Sequence, residues 1–258
     1  MNHNLKEIEN NMTDIKVLNN ILERRYSCRS FLPKRVKQEI IEEILNIAQK
    51  IPSWCNAQPW TVTVCSGKAL KELSNNLLAA ASKGIVGPDI AFPLEYNGIY
   101  RVRRKECGLQ LYNSVGIQKG EQSKAIMQMH ENFKFFGAPH VAIITSEKSL
   151  GTYGAIDCGA YVTAFTLAAT ALNINTIPQA AIASLSDIVR STLKIPVEKS
   201  IVCAISFGYE NSKHPINNFR TSRSNILSFP INPLNYFIYM RSRCSKIIYR
   251  MFAIFVTK

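Results

Sequence analysis

Along much of the chain, hydrophobic residues recur at helical spacing in some segments and at strand spacing in others. Behind Pro33, apolar residues recur at helical spacing with acids on the opposite face, at Val36, Ile40, Ile41, Ile44, Leu45 and Ala48. Residues 61–65 then alternate like a strand, and residues 68–81 return to helical spacing. Residues 141–145 are apolar enough to predict a central strand.

Residues 153–172 carry small and apolar side chains on nearly every helical face. A helix of this kind is buried, so the pattern predicts either a central core helix or a subunit interface. It is too short, and too interrupted by Asp157 and Thr163, to span a membrane. Three shorter elements follow: a strand at 174–177, a helix at 186–193 capped by Ser186, and a strand at 200–208.

Residues 84–120 show no sustained period and are rich in Gly, Pro, Tyr and Arg. We expect a long, partly helical excursion over the surface, of the kind that forms a lid or a specificity wall. Because helices outnumber strands and separate them, the pattern favours an α+β or α/β sandwich with a mostly apolar sheet inside. The chain has no internal repeat and no low-complexity linker, which predicts one domain with terminal extensions.

Composition narrows the class of protein. With 258 residues, of which 47% are hydrophobic, the chain can bury a substantial core. Its seven cysteines are scattered, with no C-x-x-C pair and no histidine at zinc-ligand spacing, so we expect a reducing compartment and no metal site. Glu7, Glu9 and Asp14 precede any apolar core, which excludes an ordinary secretory signal and makes the cytoplasm the expected location.

The formal charge of +13 is unevenly distributed. Residues 230–258 contain five cations and no acid, interspersed with apolar residues. This tail favours an arm that packs on a partner subunit; the alternative is a basic amphipathic helix in peripheral membrane contact. No basic stripe interleaved with aromatics is found, so we expect no nucleic-acid partner.

Two polar clusters suit an anion. Residues 24–31 place three guanidinium groups and two serine hydroxyls close together, and arginine forks pair bidentately with phosphate. A solvated basic helix end is the alternative for this segment. The second cluster consists of Asn217, Asn218, Arg220, Thr221, Ser222 and Arg223. Together the two clusters would enclose one phosphate.

Both tryptophans of the chain lie in residues 52–60. Pro52 and Pro59 exclude a helix or a central strand, so the segment is predicted to be a stiff loop. Its hydroxyl and amide groups, beside the flat faces of Trp54 and Trp60, suit a planar ligand with polar edges. The alternative is a hydrophobic corner that seals the junction between helix and strand.

Several kinds of catalytic site are missing from the sequence. It contains no G-x-G-x-x-G, no G-x-x-x-x-G-K-[ST] and no G-x-S-x-G motif. The four histidines stand near no plausible pair of nucleophile and base, and His140, at the start of an apolar strand, is predicted to be a satisfied core residue. A bound cofactor would therefore have to carry the chemistry.

Four motifs, in order and at matching spacing, resemble the nitroreductase family, in its nitrobenzoate-reductase-like subgroup. They are residues 25–31 (RYSCRSF), residues 52–60 (PSWCNAQPW), residues 153–159 (YGAIDCG) and the pair of Gly208-Tyr209 with residues 218–223 (NFRTSR). The resemblance covers residues 18–229, which leaves residues 1–17 as an N-terminal extension and residues 230–258 as a C-terminal extension outside the family pattern.

The resemblance implies an α+β homodimer, a three-layer α/β/α sandwich with a central, mostly antiparallel sheet and two active sites at the subunit interface. It implies FMN as cofactor and NAD(P)H as co-substrate. Hydride would pass through flavin N5 to a nitroaromatic, a quinone or a similar small-molecule acceptor by a ping-pong mechanism. The alternative from another class is a flavin-binding sensor or storage protein that does not turn over.

The family pattern also implies the roles of individual residues. The FMN phosphate and ribityl chain would be held by Arg25, Tyr26, Ser27 and Arg29, with Arg220 and Arg223 closing from the C-terminal side. The partner subunit would supply four residues to the flavin ring, namely Pro52, Ser53, Trp54 and Asn56. The ring would lie along Pro178, Gln179, Ala180 and Ala181, with the N–H of Ala180 facing N5 and Asn132, or else Lys134, at the pyrimidine edge.

The chain departs from better-known members of the family at this ring segment. An acidic residue followed by glycine is replaced by Ala180-Ala181, which keeps a backbone donor but removes a side-chain role. Expected walls of the pocket are Trp54, Phe135, Phe136 and the excursion at 84–120.

Overall fold

The structure, a computed structural model, describes residues 2–224, with side chains from residue 13 onward. The described residues up to Arg220 belong to one compact unit, and residues 221–224 are described apart from it. The predicted C-terminal extension at 230–258, with its arm or interfacial helix, lies outside the described residues. None of the described helices combines the length and hydrophobicity that crossing a bilayer requires.

Within this part of the chain there are eight α-helices and four strands. The helices are α1 (Asn2–Arg24), α2 (Gln38–Ala48), α3 (Gly67–Ser82), α4 (Gly98–Ser114), α5 (Gln122–His130), α6 (Gly151–Ala171), α7 (Ala180–Ala183) and α8 (Ser186–Leu193). The strands are β1 (Thr61–Ser66), β2 (His140–Glu147), β3 (Asn175–Gln179) and β4 (Lys199–Gly208). The elements predicted from periodicity are present, with ends that differ by a few residues.

The four strands form one sheet in the order β1-β2-β4-β3. Every neighbouring pair is antiparallel, so the predicted mostly antiparallel central sheet is confirmed. Ile143 of β2 pairs with Thr63 on one side and with Ala204 on the other. The apolar run at 141–145 is therefore a central strand, as its composition predicts.

Side chains of β2 alternate between the two faces of the sheet. Val141 and Ile143 join a cluster with α3, α7 and α8, while Ala142 and Ile144 join a second cluster with α2 and α6. All four are 0% exposed, and burying an isoleucine contributes about 1.5–3 kcal/mol. Helices thus cover both faces, which confirms the three-layer α/β/α sandwich.

Helix α6 is buried on one side only. Tyr161 and Phe165 pack against the sheet and are 2% and 0% exposed, while Tyr153 and Ile156 are 64% and 59% exposed. The sequence predicted a core helix or a subunit interface, and within one chain the helix combines a core face with an open apolar face.

The excursion at 84–120 is partly helical, as predicted. It contains α4, none of whose side chains is buried. Its start is tied to the core, because the Gly87 N–H donates to the Ser184 carbonyl at 2.8 Å and Asp89 pairs with Arg190 at 2.6 Å. These two contacts hold the beginning of the excursion against the core.

The predicted cap of α8 is wrong. Leu185 occupies the N-cap position and makes no side-chain cap. The Ser186 hydroxyl instead donates to the Ala183 carbonyl at 2.9 Å and accepts from the Asp89 N–H at 3.1 Å. Only two residues separate the end of α7 from the start of α8. The Ala183 carbonyl in the last turn of α7 is therefore within reach of the Ser186 hydroxyl, whereas a capping serine that follows a loop has no such acceptor.

His140 is a core residue, as predicted, at 5% exposure. Its Nε2 accepts a hydrogen bond from the Val36 N–H at 3.1 Å, and its ring stacks on Phe207 with centroids 5.2 Å apart. The buried Nδ1 has no partner within the described residues, so only one of the two nitrogens is satisfied.

Candidate functional site

The segment that follows α1 lies along the edge strand β3. Cys28 donates its N–H to the Thr176 carbonyl at 3.0 Å, and Ser27 pairs with Thr176 as an isolated parallel bridge. Arg24, the last residue of α1, donates to the Thr170 carbonyl at 2.5 Å. The first arginine cluster is thus fixed against the sheet edge and the end of α6, and it is not a solvated helix end.

The two polar clusters predicted from sequence meet in the fold. Asn217, 3% exposed, accepts from the Arg29 N–H at 2.8 Å and donates to the Ser30 carbonyl at 2.9 Å. The Arg220 guanidinium stands 3.6 Å from the centre of the Tyr26 ring. These contacts join segments almost 190 residues apart in sequence.

The guanidinium groups of Arg29 and Arg220 nevertheless line different cavities. Arg29 lines a cavity of about 580 Å³, together with Phe136 and with Val115 at the end of the excursion. Arg220 and Tyr26 line another, of about 380 Å³. The segment that follows α1 therefore contributes residues to two cavities, and the excursion forms a wall of the one that contains Arg29.

Among the described residues, Arg29 is a half-buried cation without a counter-ion. Its Nη1 donates to the Ser27 carbonyl at 3.1 Å, and its guanidinium lies 5.4 Å from the centre of the Phe219 ring. Burial lowers the pKa of Arg29 below its ordinary value. Within the described residues no carboxylate forms an ion pair with it, so the site has an unbalanced positive charge.

Tyr26 is already engaged. Its hydroxyl donates to the Glu210 carboxylate, and burial, followed by this hydrogen bond, raises its pKa above the ordinary value. The phenol therefore stays protonated, and its one proton is committed to Glu210. A ligand beside Tyr26 would meet its backbone or its ring.

The other predicted members of the phosphate group are placed as follows. Arg25 is half-buried and follows α1 directly, with its N–H bonded to the Ile21 carbonyl at 3.0 Å. Arg223 belongs to the separately described residues, where its guanidinium donates to Thr221 Oγ1 at 2.9 Å.

Gln179 connects the predicted ring segment to Asn132. Its Nε2 donates to the Asn132 carbonyl at 3.0 Å and to Asn132 Oδ1 at 3.3 Å. Its Oε1 accepts from the Ser206 hydroxyl at 2.5 Å, and the side chain is 2% exposed. Two residue positions predicted to meet one ligand are therefore adjacent. Lys134, the alternative to Asn132, pairs with Glu131 at 2.7 Å.

The end of β3 presents an open backbone. Pro178 and Ala180 are exposed on either side of the buried Gln179, as strand alternation requires. Ala180 and Ala181 begin α7, whose first N–H groups have no intrahelical acceptor. This edge offers backbone donors beside a flat apolar surface.

The two tryptophans have different environments. Trp60 is 7% exposed, its ring is tilted against that of Tyr161 with centroids 5.2 Å apart, and its Nε1–H donates to Gln49 at 2.8 Å. Trp54 is 65% exposed, with its ring 5.9 Å from that of Tyr153. One tryptophan seals the corner between helix and strand, and the other is available to a ligand.

The loop between them is held by hydrogen bonds and left-handed backbone. Cys55, Asn56 and Gln58 have φ of 51°, 54° and 47°. Ser53 Oγ accepts from the Gln58 N–H at 2.9 Å, and Asp157 accepts from the Trp54 N–H at 3.1 Å. The exposed side chains of Trp54 and Asn56 are thereby presented from a defined backbone.

In one chain this loop and the arginine cluster lie near opposite ends of α6. Trp54 is bonded to Asp157, whereas Arg24 is bonded to Thr170. Thirteen residues of helix separate these anchors, a rise of roughly 20 Å. The loop and the arginines of one chain therefore stand far apart along α6.

Comparisons with known proteins identify the family. The family model described as "Nitroreductase family" matches residues 22–209. The chain belongs to the nitroreductase family. Among its relatives, a 4-nitrobenzoate reductase of Pseudomonas putida is 30% identical over 203 residues, covering 79% of this chain and 89% of that protein. Nitroreductase NfnB of Mycolicibacterium smegmatis is 32% identical over 209 residues, covering 80% and 88%.

Solved structures agree with this assignment. The FMN-dependent nitroreductase NfnB from Mycobacterium smegmatis, in complex with NADPH, superimposes with a TM-score of 0.80 at 29% identity, covering 83% of this chain and 96% of that one. The nitroreductase family named from the sequence motifs is thus confirmed, together with its fold.

Sequence reasoning missed three residues that shape the site. Glu210 takes the Tyr26 proton, Asp157 anchors the tryptophan loop, and Thr176 receives the arginine segment. Glu210 directly follows the motif Gly208-Tyr209, which was the available signal. Asp157 lies in the motif at residues 153–159 and interrupts an apolar helix, but neither feature indicated that it binds the tryptophan loop.

Proposed function

We propose that this nitroreductase-family protein is an FMN-dependent oxidoreductase that transfers hydride from NADPH or NADH to a nitroaromatic, a quinone or a similar electrophile in a ping-pong cycle. Arg29 carries the proposal, because it is a half-buried cation with no carboxylate partner among the described residues. A desolvated charge is costly without a counter-ion. The FMN phosphate would supply the missing negative charge.

The donors around Arg29 fit a phosphate monoester. We assign Arg25, Ser27 and Arg29 to the phosphate and ribityl chain, with Tyr26 contributing through its backbone because its hydroxyl proton is held by Glu210. Guanidinium and hydroxyl groups are the donors that such a dianion prefers. Arg220, which lines the other cavity with Tyr26, would approach the ligand from that side.

The end of β3 fits a planar ring. Pro178 and Ala180 offer an exposed surface, and Ala180 and Ala181 offer N–H groups that no helical carbonyl uses. Gln179 would hold Asn132 at the edge of the ring through the hydrogen bonds described above. The side chain of Asn132 and the backbone N–H groups at the start of α7 would then fix the orientation of the ring.

FMN, when bound, supplies the two-electron chemistry at ring N5. The chain itself binds the phosphate, orients the ring and shapes the space above it. The N–H of Ala180 would donate toward the reactive edge, and Trp54, Phe136 and the excursion would confine flat substrates. No side chain needs to act as nucleophile or base.

We propose a homodimer in which the tryptophan loop serves the partner. The open face of α6 displays Tyr153 and Ile156 beside the exposed Trp54, an apolar surface that a second subunit would cover. The separation of loop and arginines along α6 supports a role in trans. Pro52, Ser53, Trp54 and Asn56 would then meet the flavin held by the other chain.

The first test is the absorbance spectrum of the purified protein and its response to reductant. We expect a yellow protein whose flavin band is bleached by NADPH or NADH without oxygen and restored by 4-nitrobenzoate. Bound flavin that neither nucleotide bleaches would contradict the reductase and favour the sensor or storage protein. A colourless protein that does not take up added FMN would contradict both.

A pair of variants tests the phosphate site. Arg29→Ala should purify without FMN, because the ligand loses its buried counter-charge, whereas Arg29→Lys keeps that charge and should retain part of the flavin. Flavin content after gel filtration is the measurement. Stoichiometric FMN in Arg29→Ala would contradict the assignment.

A further inference from the structure

A third cavity, which Arg29 does not line, has three cations in its lining. It has a volume of about 330 Å³ and lies between the segment after Pro33, the first turns of α3 and residues 134–139. Pockets for small ligands begin at about 300 Å³. Its lining includes Arg35, Lys71 and Lys134, and no aspartate or glutamate.

Two of these cations have no counter-ion in the part of the chain that the structure describes. Lys134 pairs with Glu131 at 2.7 Å. Arg35 and Lys71 form no ion pair with any residue that the structure describes. Three like charges on one concave surface raise each other's electrostatic energy and the local concentration of anions.

The N-terminus of α3 adds a partial positive charge to the same cavity. Gly67, which lines the cavity, begins α3 with a φ of 58°, and a Cβ built on it would lie 3.2 Å from Arg35 Nη2. A helix start carries a partial positive charge that an acid usually offsets. Here the first turn has no acid, and Ser66 at the N-cap makes no side-chain cap.

We propose that this cavity binds a phosphoryl group, with Arg35 as the bidentate donor and Lys71 as the second cation. Arginine forks match phosphate oxygens, and lysine supplies a point charge. The group is a phosphate monoester or inorganic phosphate.

One source of this group rests on the proposed function, namely the 2′-phosphate of NADPH. Asn132, the proposed ring contact, and Lys134, at the cavity, are two residues apart, within about 7 Å of extended chain. A nucleotide whose nicotinamide meets the flavin could reach the cavity with its far end. The other source is free inorganic phosphate.

The test of the site uses the purified full chain with its flavin and titrates inorganic phosphate by calorimetry at low salt. We expect binding to wild type and a loss of affinity of at least about tenfold in Arg35→Ala/Lys71→Ala. Lys68→Ala is the matched control, since Lys68 is exposed on the same helix and does not line the cavity. Absent binding to wild type, or equal binding to the double variant, would overturn the proposal.

The source is decided by kcat/KM for NADPH and NADH in the same three proteins. A drop in the NADPH-to-NADH ratio confined to the double variant, with flavin content unchanged, assigns the 2′-phosphate. An unchanged ratio, with phosphate binding lost, assigns free phosphate. Failure of the proposed function would look different, because neither nucleotide would bleach the flavin of wild type while phosphate binding remained measurable.

Discussion

Gln179 has a buried amide whose hydrogen bonds join three segments of the chain. It accepts from Ser206 on β4 and donates to Asn132 in the loop after α5. At 2% exposure the amide has no water to replace a lost partner. The orientation of Asn132 therefore depends on Gln179.

Replacing Gln179 should weaken flavin binding as well as the fold. Gln179→Leu leaves the Ser206 hydroxyl without its acceptor, a cost of about 1–3 kcal/mol, and releases Asn132 from its position. Ser206→Ala is the control, because it removes only the bond on the β4 side. We expect both variants to unfold at lower urea concentration and only Gln179→Leu to raise the FMN dissociation constant. Equal FMN affinity in the two variants would contradict a positioning role.

His140 should make stability depend on pH. Burial, and then the nearby charge of Arg35, lowers the pKa of His140 below its ordinary value. Between the lowered pKa and the unfolded value of about 6.5, the unfolded chain binds more protons, so stability rises with pH. The contribution is complete above about pH 6.5 and is lost as the pH falls below it.

The measurement is the free energy of unfolding from about pH 7.5 to about pH 5.5. We expect wild type to lose stability over this range with a slope of at most about 1.4 kcal/mol per pH unit from this group. His140→Asn keeps a hydrogen-bond acceptor and cannot titrate, so its slope should be smaller. Identical slopes would show that other groups carry the acid sensitivity.

The predictable residues were those whose chemistry is local. Arg25 to Arg29 could be proposed as an anion-binding cluster because the donors are adjacent in sequence. Glu210 and Asp157 could not be assigned, because their partners Tyr26 and Trp54 lie 184 and 103 residues away. Pairings of this length depend on how the elements pack, and periodicity carries no information about them.

Gly154 marks the closest approach of α6 to the sheet. A Cβ at this position would lie 2.5 Å from Ser146 Oγ and 2.9 Å from Leu150 Cβ. Such distances require the helix to shift away from β2. The glycine is therefore needed for the packing of the layer, even though glycine is unfavourable within a helix.

Gly154→Ala should destabilise the protein by about 1–3 kcal/mol, because the methyl group overpacks the contact with β2. Gly108 on α4 is the matched control, since a Cβ there meets nothing within 4 Å. Gly108→Ala should gain up to about 1 kcal/mol from helix propensity. Urea unfolding at one fixed protein concentration measures both. If Gly154→Ala left the free energy of unfolding unchanged, α6 would be able to shift away from the sheet without cost.

Elements were predictable where the apolar pattern was distinct, as in the apolar face of α2 and the continuous apolar run of β2. The all-round apolar pattern of α6 left two interpretations open because composition does not say which side meets the same chain. The predicted cap of α8 was wrong for a related reason, since the Ser186 hydroxyl donates to the preceding turn and accepts from the Asp89 N–H of the excursion. Local signals define an element, and tertiary neighbours decide how its ends are satisfied.

Several exposed apolar side chains lie on α1, α6 and the tryptophan loop. Tyr153 and Ile156 on α6 and Trp54 on its loop are each more than half exposed, as are Ile15 and Leu18 on α1. Isolated exposed apolar residues are normal, but a group of this kind indicates an interaction surface. A second copy of the chain would cover it and bring each loop to the opposite arginine cluster.

A mixed dimer decides whether the loop acts in trans. Arg29→Ala removes the proposed phosphate ligand and Trp54→Ala removes the loop side chain, so each variant alone should be inactive. In a dimer that contains one of each, an arrangement in trans leaves one site with neither change, and activity should return to about half of wild type.

An arrangement in cis places one change in each site, so the same dimer should be inactive. Two affinity tags isolate the mixed dimer, and a dimer of Arg29→Ala with wild type, which keeps one intact site in either arrangement, is the control. Light scattering must show two chains per particle. A monomeric active enzyme, or a mixed dimer without activity beside an active control, would contradict the shared site.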